Sequence, residues 1–192
     1  MKIILMRHGE PKINLSDMVK ARYSAIEIEP LIKAYNESGL NAQNKPTSKA
    51  LRVSKTCKAV VCSDLPRSIE SAKALRVSNI CSIDSVFRES DLPYAEWRYP
   101  RLEIFTWFLF FRAIWFLGYS NNGEPISSAR KRSKIAFLKL KQIVDEHGSV
   151  MLIGHGIINR LVAKELRKNG WCGPKNPGNN YWEYGIYEYR TI

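Results

Sequence analysis

Hydrophobic positions along the chain gather into short continuous runs, with longer stretches of mixed polar and apolar residues between them. The first run, Ile3 to Met6, follows Lys2 and is closed by Arg7-His8-Gly9. Apolar without alternation, it predicts a strand buried on both faces of a sheet. Lys58 to Cys62, Ile80 to Ile83 and Ser149 to Ile153 are read the same way, and a last strand is expected around Tyr181 to Tyr189. The intervening stretches read as helices and loops. Ser16 to Ser38 is helical in pattern, capped by Ser16 or Asp17, broken at Pro30 and ended by Gly39. Residues 41–57 are polar and pass from a loop into a short helix. Asp64 is placed to cap a helix that Pro66 enters at its first turn and that runs to about Val77. A long helix follows Gly123-Glu124-Pro125, with Ile135, Leu138 and Val144 or Ile143 as its apolar stripe and Gly148 as its stop. The last helix spans Ile157 to Lys168.

Strands alternating with helices predict an α/β fold: three layers, α/β/α, around a mostly parallel central sheet. The chain of 192 residues shows no internal repeat and no separating linker, so residues 1–192 are expected to form one domain. Residues 88–124 stand apart as an insertion, irregular and then strongly apolar, that packs beside or over the sheet.

Within the insertion, 104–119 carries 8 of the chain's 21 aromatic residues. A membrane span needs roughly 20 mainly apolar residues. This run is shorter, holds Arg112 near its middle and is preceded by Arg98 and Arg101, so a helix outside the bilayer is expected. A helix so apolar needs a covering partner: the parent domain, a second subunit, an apolar substrate tail or a membrane surface.

Charge and cysteine usage narrow the picture. Thirty Lys and Arg against 18 Asp and Glu give a net charge of +12, which suits a polyanion, an anionic membrane surface or a small phosphorylated substrate. With 45% hydrophobic and 25% charged residues, disordered, fibrous and disulfide-dense readings are excluded. The cysteines Cys57, Cys62, Cys81 and Cys172 form no CxxC pair, and His8, His147 and His155 offer no zinc-ligand spacing, so no metal site is expected. A reducing, cytoplasmic setting is expected, since the apolar run at 1–6 is too short for a signal peptide.

In open α/β sheets ligands bind beyond the carboxyl ends of the strands. Three of those turns carry residues suited to a phosphoryl group: Arg7, His8, Gly9 and Glu10; then Ser63, Asp64 and Arg67; then Gly154, His155 and Gly156. Guanidinium groups meet phosphoryl oxygens with paired hydrogen bonds, and an imidazole can attack phosphorus.

These residues also resemble a known family. Leu5-Met6-Arg7-His8-Gly9-Glu10 is similar to the RHG signature of the histidine phosphatase superfamily, the phosphoglycerate mutase-like proteins. Asn14 stands where members place a phosphate-contacting Asn, and Ser63 to Ala72 resembles the segment bearing a phosphate-binding arginine, here Arg67. Phe87-Arg88-Glu89 resembles the segment of the acid/base glutamate, Gly123-Glu124 the start of the GES helix, and Leu152 to Gly156 the second histidine motif. The resemblance covers residues 3–156, with the motifs in order. It implies a metal-independent phosphomonoester hydrolase, with no cofactor, acting on a small phosphorylated metabolite. His8 would become phosphohistidine, Arg7, Asn14, Arg67 and His155 would bind the phosphoryl oxygens, and Glu89 would move the proton. Nearby Asp91 and Glu96 are rivals for that last role. For 104–119 the resemblance implies a small helical cap, which suits an apolar leaving group or a homodimer contact.

The chain departs from the pattern at Pro11 and Pro125, where hydroxyl residues are usual, and Tyr94-Ala95-Glu96-Trp97 only faintly echoes a Gly-x-Trp-Glu-Gly stretch. Two alternatives stand beside the hydrolase. One is a phosphoglycerate-type mutase. The other is a noncatalytic protein that keeps the pocket for binding phospholigands, or that binds nucleic acid or an anionic membrane surface through the basic helix with Arg130, Lys131, Arg132, Lys134, Lys139 and Lys141.

Overall fold

The computed structural model describes residues 1–13, 21–77 and 79–189. Its centre is a five-stranded sheet in the order β4-β3-β6-β1-β7. The strands are β1 (Lys2–Arg7), β3 (Ala59–Cys62), β4 (Ser82–Ile83), β6 (Ser149–Gly154) and β7 (Tyr184–Glu188). The first four run parallel, and β7 lies antiparallel to β1. β2 (Arg22–Tyr23) and β5 (Leu102–Glu103) form a separate two-stranded ribbon.

The helices are α1 (Ile28–Glu37), α2 (Ser48–Ser54), α3 (Pro66–Ala74), α4 (Ile104–Phe116), α5 (Ile126–His147) and α6 (Gly156–Lys168). Side chains alternate across the sheet and bury on both faces. Ile3, Leu5 and Leu152 pack on α5 and α6 through Leu140, Val144, Val162 and Leu166. Ile4, Met6 and Met151 pack the other way on Ala50, Val53 and Ala72. The three-layer α/β/α expectation is therefore met, with each fully buried aliphatic side chain contributing about 1.5–3 kcal/mol over its exposed state.

Five local expectations are corrected. Pro30 does not break a helix, because α1 begins at Ile28 and Pro30 falls in its first turn, where no helical N–H bond is lost. A 3-10 turn, Ala25–Glu27, precedes it; Ser24 caps that turn, and its N–H donates to Glu27 Oε2 at 2.7 Å. Residues 21–24 lie outside the helix, and the cap expected at Ser16 or Asp17 lies outside the described residues. Asp64 does not cap α3, whose N-cap is Leu65; its carboxylate instead accepts twice from Arg88 at 2.6 Å. The helix also ends at Ala74 rather than near Val77. The stripe of α5 is likewise different. Ile135 and Leu138 are 51% and 59% exposed, while Ile126, Ala129, Ser133, Ala136, Phe137, Leu140 and Val144 are buried. Small residues at 129, 133 and 136 let α5 lie close to its neighbours. Its end is as read: Gly148 takes φ 76°, a left-handed conformation that costs glycine nothing.

The apolar segment forms α4, and among the described residues no helix is long and apolar enough to cross a membrane. Ile104, Trp107, Phe111 and Trp115 make its buried stripe. Ala25 and Ile28 join Ile104, Trp107 and Phe111 in one cluster, and Trp115 packs with Ile126 and Ala129 in another. Two indole N–H groups pin the helix: Trp107 donates to Tyr23 O and Trp115 to Glu124 O, both at 2.7 Å.

Candidate active site

The sheet register brings the two histidine motifs together. Arg7 pairs with Gly154 across β1 and β6, and the N–H of His8 continues the ladder to Gly154 O at 3.1 Å. Cys62 of β3 pairs with Ile153, so Ser63 emerges beside His155. The imidazole rings of His8 and His155 consequently lie with centroids 4.9 Å apart, and both are buried.

Each ring is oriented by one partner. His8 Nδ1 lies 2.6 Å from Gly9 O, so that nitrogen carries the hydrogen and donates it. Nε2 is left with its lone pair, and Arg67 Nε donates to it at 3.2 Å. His155 Nε2 lies 2.6 Å from Ser63 Oγ, whose oxygen also accepts from Leu65 N at 3.4 Å. With the Ser63 proton given to Nε2, the neutral His155 ring carries its hydrogen on Nδ1, a tautomer assigned from these partners. Burial, then the Arg67 cation, holds His8 well below the usual imidazole range. Burial, then His8 and the Arg67 and Arg7 cations, does the same to His155.

Arg67 is only 1% exposed. Its guanidinium donates to Tyr35 O at 3.1 Å and to Asn36 O and Oδ1 at 3.2 and 3.3 Å, and it stacks over the Tyr35 ring at 4.8 Å. Arg7 lies over the Tyr181 ring at 4.6 Å and donates to Asn179 O. Two nitrogens at this centre are buried without a partner among the described residues: Arg7 Nε and His155 Nδ1. Gly9 is required by close packing, since a Cβ there would overlap the Trp182 indole and Leu40.

Glu89 sits across the same opening. Its carboxylate accepts from the N–H groups of Ile157 and Ile158 at 3.1 Å and of Ser90 at 2.9 Å, closing the N-terminus of α6 directly after His155. Arg88, the neighbour of Glu89 in sequence, is committed to Asp64. Glu89, Asp91 and Arg7 all line one cavity of about 750 Å³, whereas Glu96 does not. Burial, then Glu124, pushes the Asp91 carboxyl up. The structure thus gathers Arg7, His8, Arg67, Glu89 and His155; Asn14 lies outside the described residues. Among the described residues no group of three or more His, Cys, Asp and Glu is placed to hold a metal ion.

A model of the histidine phosphatase superfamily (branch 1) matches residues 3–189, nearly the whole chain. The chain belongs to the histidine phosphatase superfamily. Solved structures carry the same fold. One is an open reading frame product of Mycobacterium tuberculosis, at TM-score 0.64 and 16% identity over 96% of this chain and 89% of that one. Another is a mycobacterial glucosyl-3-phosphoglycerate phosphatase, at TM-score 0.61 and 18% identity over 96% and 88%. A third is an alpha-ribazole phosphatase from Shigella flexneri, at TM-score 0.56 and 17% identity over 86% and 79%. No curated protein matches the chain in sequence. Membership in the superfamily places the chain among phosphatase- and mutase-type enzymes.

Sequence reading missed several members of the site. Tyr35 and Asn36 hold Arg67 largely through backbone carbonyls, which no side-chain motif encodes. Tyr181 arrives from the end of a loop, and Arg112 reaches the cavity from α4. Ion pairing also shapes the basic helix: Arg132 pairs with Glu124 at 2.6 Å, Lys141 with Asp145 at 2.6 Å, and Lys139 with Asp84. Half of its six cations are thus already neutralised within the chain.

Proposed function

We propose that the protein is a metal-independent phosphomonoester hydrolase working through a phosphohistidine on His8, with a small phosphorylated metabolite as substrate. The observation that carries this reading is the pair of buried donors, His155 Nδ1 and Arg7 Nε, without partners among the described residues, in the centre that holds the His8 ring. Buried donors are nearly always paired, and two at one place suit an anion.

In this reading the phosphoryl group sits against Arg7, Arg67 and His155, whose cations and N–H groups balance its charge, with Asn14 as a fourth contact. His8 Nε2 attacks phosphorus while the ester P–O bond breaks, and Glu89 gives its proton to the departing alcohol oxygen. Water then attacks the phosphohistidine, Glu89 takes back a proton, the P–N bond breaks and inorganic phosphate leaves. Neutral His8, with its hydrogen fixed on Nδ1 by Gly9 O, needs no prior deprotonation, and Nε2 attacks once the Arg67 Nε–H it accepts turns to a phosphoryl oxygen. Residues 1–192 act as one domain, with 88–124 as the cap over the cavity.

Phosphate release from p-nitrophenyl phosphate, with and without a chelator, tests this. Wild type turns over in both, and His8→Asn loses turnover by at least about 10³-fold while melting as a folded protein. Interconversion of monophosphoglycerate isomers without net phosphate release replaces the hydrolase by a mutase.

A further inference from the structure

α4 carries two apolar stripes, and only one of them is fully buried in the core. Ile104, Trp107, Phe111 and Trp115 are buried, whereas Phe105, Phe108 and Leu109 line the cavity that also holds Arg7 and Glu89. Phe105 is 46% exposed and Leu109 75% exposed, so this second stripe is apolar surface left facing the opening. Ile32 of α1 and Leu92 complete the apolar lining. The polar members of the lining belong mostly to the segments that carry the phosphoryl centre: Arg7 and Glu10, Tyr35 and Asn36, and Glu89 to Asp91. From α4 the one polar member is Arg112, whose guanidinium donates to Ser90 O at 3.2 Å and covers the Trp115 ring at 4.7 Å. A sugar or glycerate leaving group needs several donors and acceptors around its hydroxyls and carboxylate, because each buried polar group without a partner is costly. The wall formed by Phe105, Phe108, Leu109, Ile32 and Leu92 offers none, and α4 adds only the Arg112 guanidinium, whose buried Nη1 has no partner among the described residues.

We propose that this wall is the leaving-group subsite and that the substrate is a phosphomonoester of an apolar alcohol, aryl or alkyl, whose ring or chain lies on Phe105, Phe108 and Leu109. The proposal rests on the phosphatase reading above for the position of the phosphoryl end. The cavity, at about 750 Å³, falls in the size range of sites for ligands with a substantial organic moiety. An apolar moiety entering it also covers Phe105 and Leu109, the exposed members of that stripe.

Binding of n-alkylphosphonates tests the subsite apart from turnover, because their C–P bond is not hydrolysed. Calorimetry with the methyl, propyl and hexyl compounds on the full chain, below micelle-forming concentrations, is expected to show affinity rising roughly threefold per methylene, as burial of a CH₂ implies. The double variant Phe105→Ser, Leu109→Ser changes exposed side chains and is expected to cut the hexyl-to-methyl affinity ratio at least tenfold. An affinity independent of chain length overturns the proposal, and so does a double variant with the wild-type ratio. Chain-length-dependent binding without phosphate release from hexyl phosphate leaves the subsite standing and overturns the phosphatase reading instead.

Discussion

Ser63 Oγ lies 2.6 Å from His155 Nε2, and when this hydroxyl on β3's trailing turn donates its proton there, the ring's own hydrogen sits on Nδ1. The orphaned Nδ1 is thereby a donor held ready for an anion. Ser63→Ala frees the ring to take the other tautomer and removes one buried hydrogen bond, worth about 1 kcal/mol. Expected is a fall in kcat/KM of roughly tenfold with a change in Tm of only a few degrees. Wild-type kcat/KM in this variant would show that Ser63 does not set the tautomer.

The two buried imidazoles also make stability depend on pH. Both are held below the ordinary histidine range, so as pH falls the unfolded chain takes up these protons before the folded one does. Stability from this source is complete above about pH 6.5 and is lost below it, by up to ~1.4 kcal/mol per pH unit for each ring, until the folded-state values are reached. Denaturant melts at pH 7.5, 6 and 5 compare wild type with His8→Gln, His155→Gln. The wild type is expected to lose stability more steeply on acidification than the double variant; parallel losses would place the acid sensitivity elsewhere.

Much of this arrangement was legible in the sequence, and the parts that were not share a cause. Ile3 to Met6 and Ser149 to Ile153 declare themselves because strands buried on both faces have no other pattern, and their register follows once both are in one sheet. Arg7, His8, Arg67 and His155 could be placed at one edge from topology alone. The stripe of α5 could not, because apolar residues occupy more than one face of that helix and the choice is made by α6 and the sheet packing against Ala129, Ser133 and Ala136. Asp64 resembled a cap until Arg88, 24 positions away, drew its carboxylate off. Pairings of that range, like Arg67 with the carbonyls of Tyr35 and Asn36, leave no local trace.

Arg132 illustrates the same point with a consequence for activity. It donates to Val86 O at 2.9 Å and Arg88 O at 2.7 Å while paired with Glu124, and so ties the segment leading into Glu89 to α5. Arg132→Gln is expected to destabilise the fold by about 2–3 kcal/mol, since it leaves a half-buried Glu124 and two carbonyls without their donor. It is also expected to lower kcat through a displaced Glu89. Lys134→Gln, on the exposed face of the same helix, is expected to change stability by less than about 0.5 kcal/mol. Equal effects of the two substitutions in chemical denaturation would refute the clamp.

Glu89 and Asp91 are separated as proton donors by leaving-group dependence. Removal of a general acid matters most when the departing alkoxide is a strong base, so Glu89→Gln is expected to cost about 10²–10³ in kcat on an alkyl phosphate and much less on p-nitrophenyl phosphate. Asp91→Asn is expected to stay within about threefold of wild type on both. The reverse pattern would transfer the role to Asp91, whose carboxyl is already pushed up by burial and by Glu124.

A covalent bond between phosphorus and His8 Nε2 defines the proposed mechanism. Rapid quenching into alkali after mixing with a ³²P-labelled phosphomonoester preserves a phosphoramidate and destroys acyl phosphates. Base-stable, acid-labile label is expected on wild type, on the peptide containing His8, and is expected to be absent from His8→Asn. Turnover with no such label on wild type, or label that persists in His8→Asn, would contradict it.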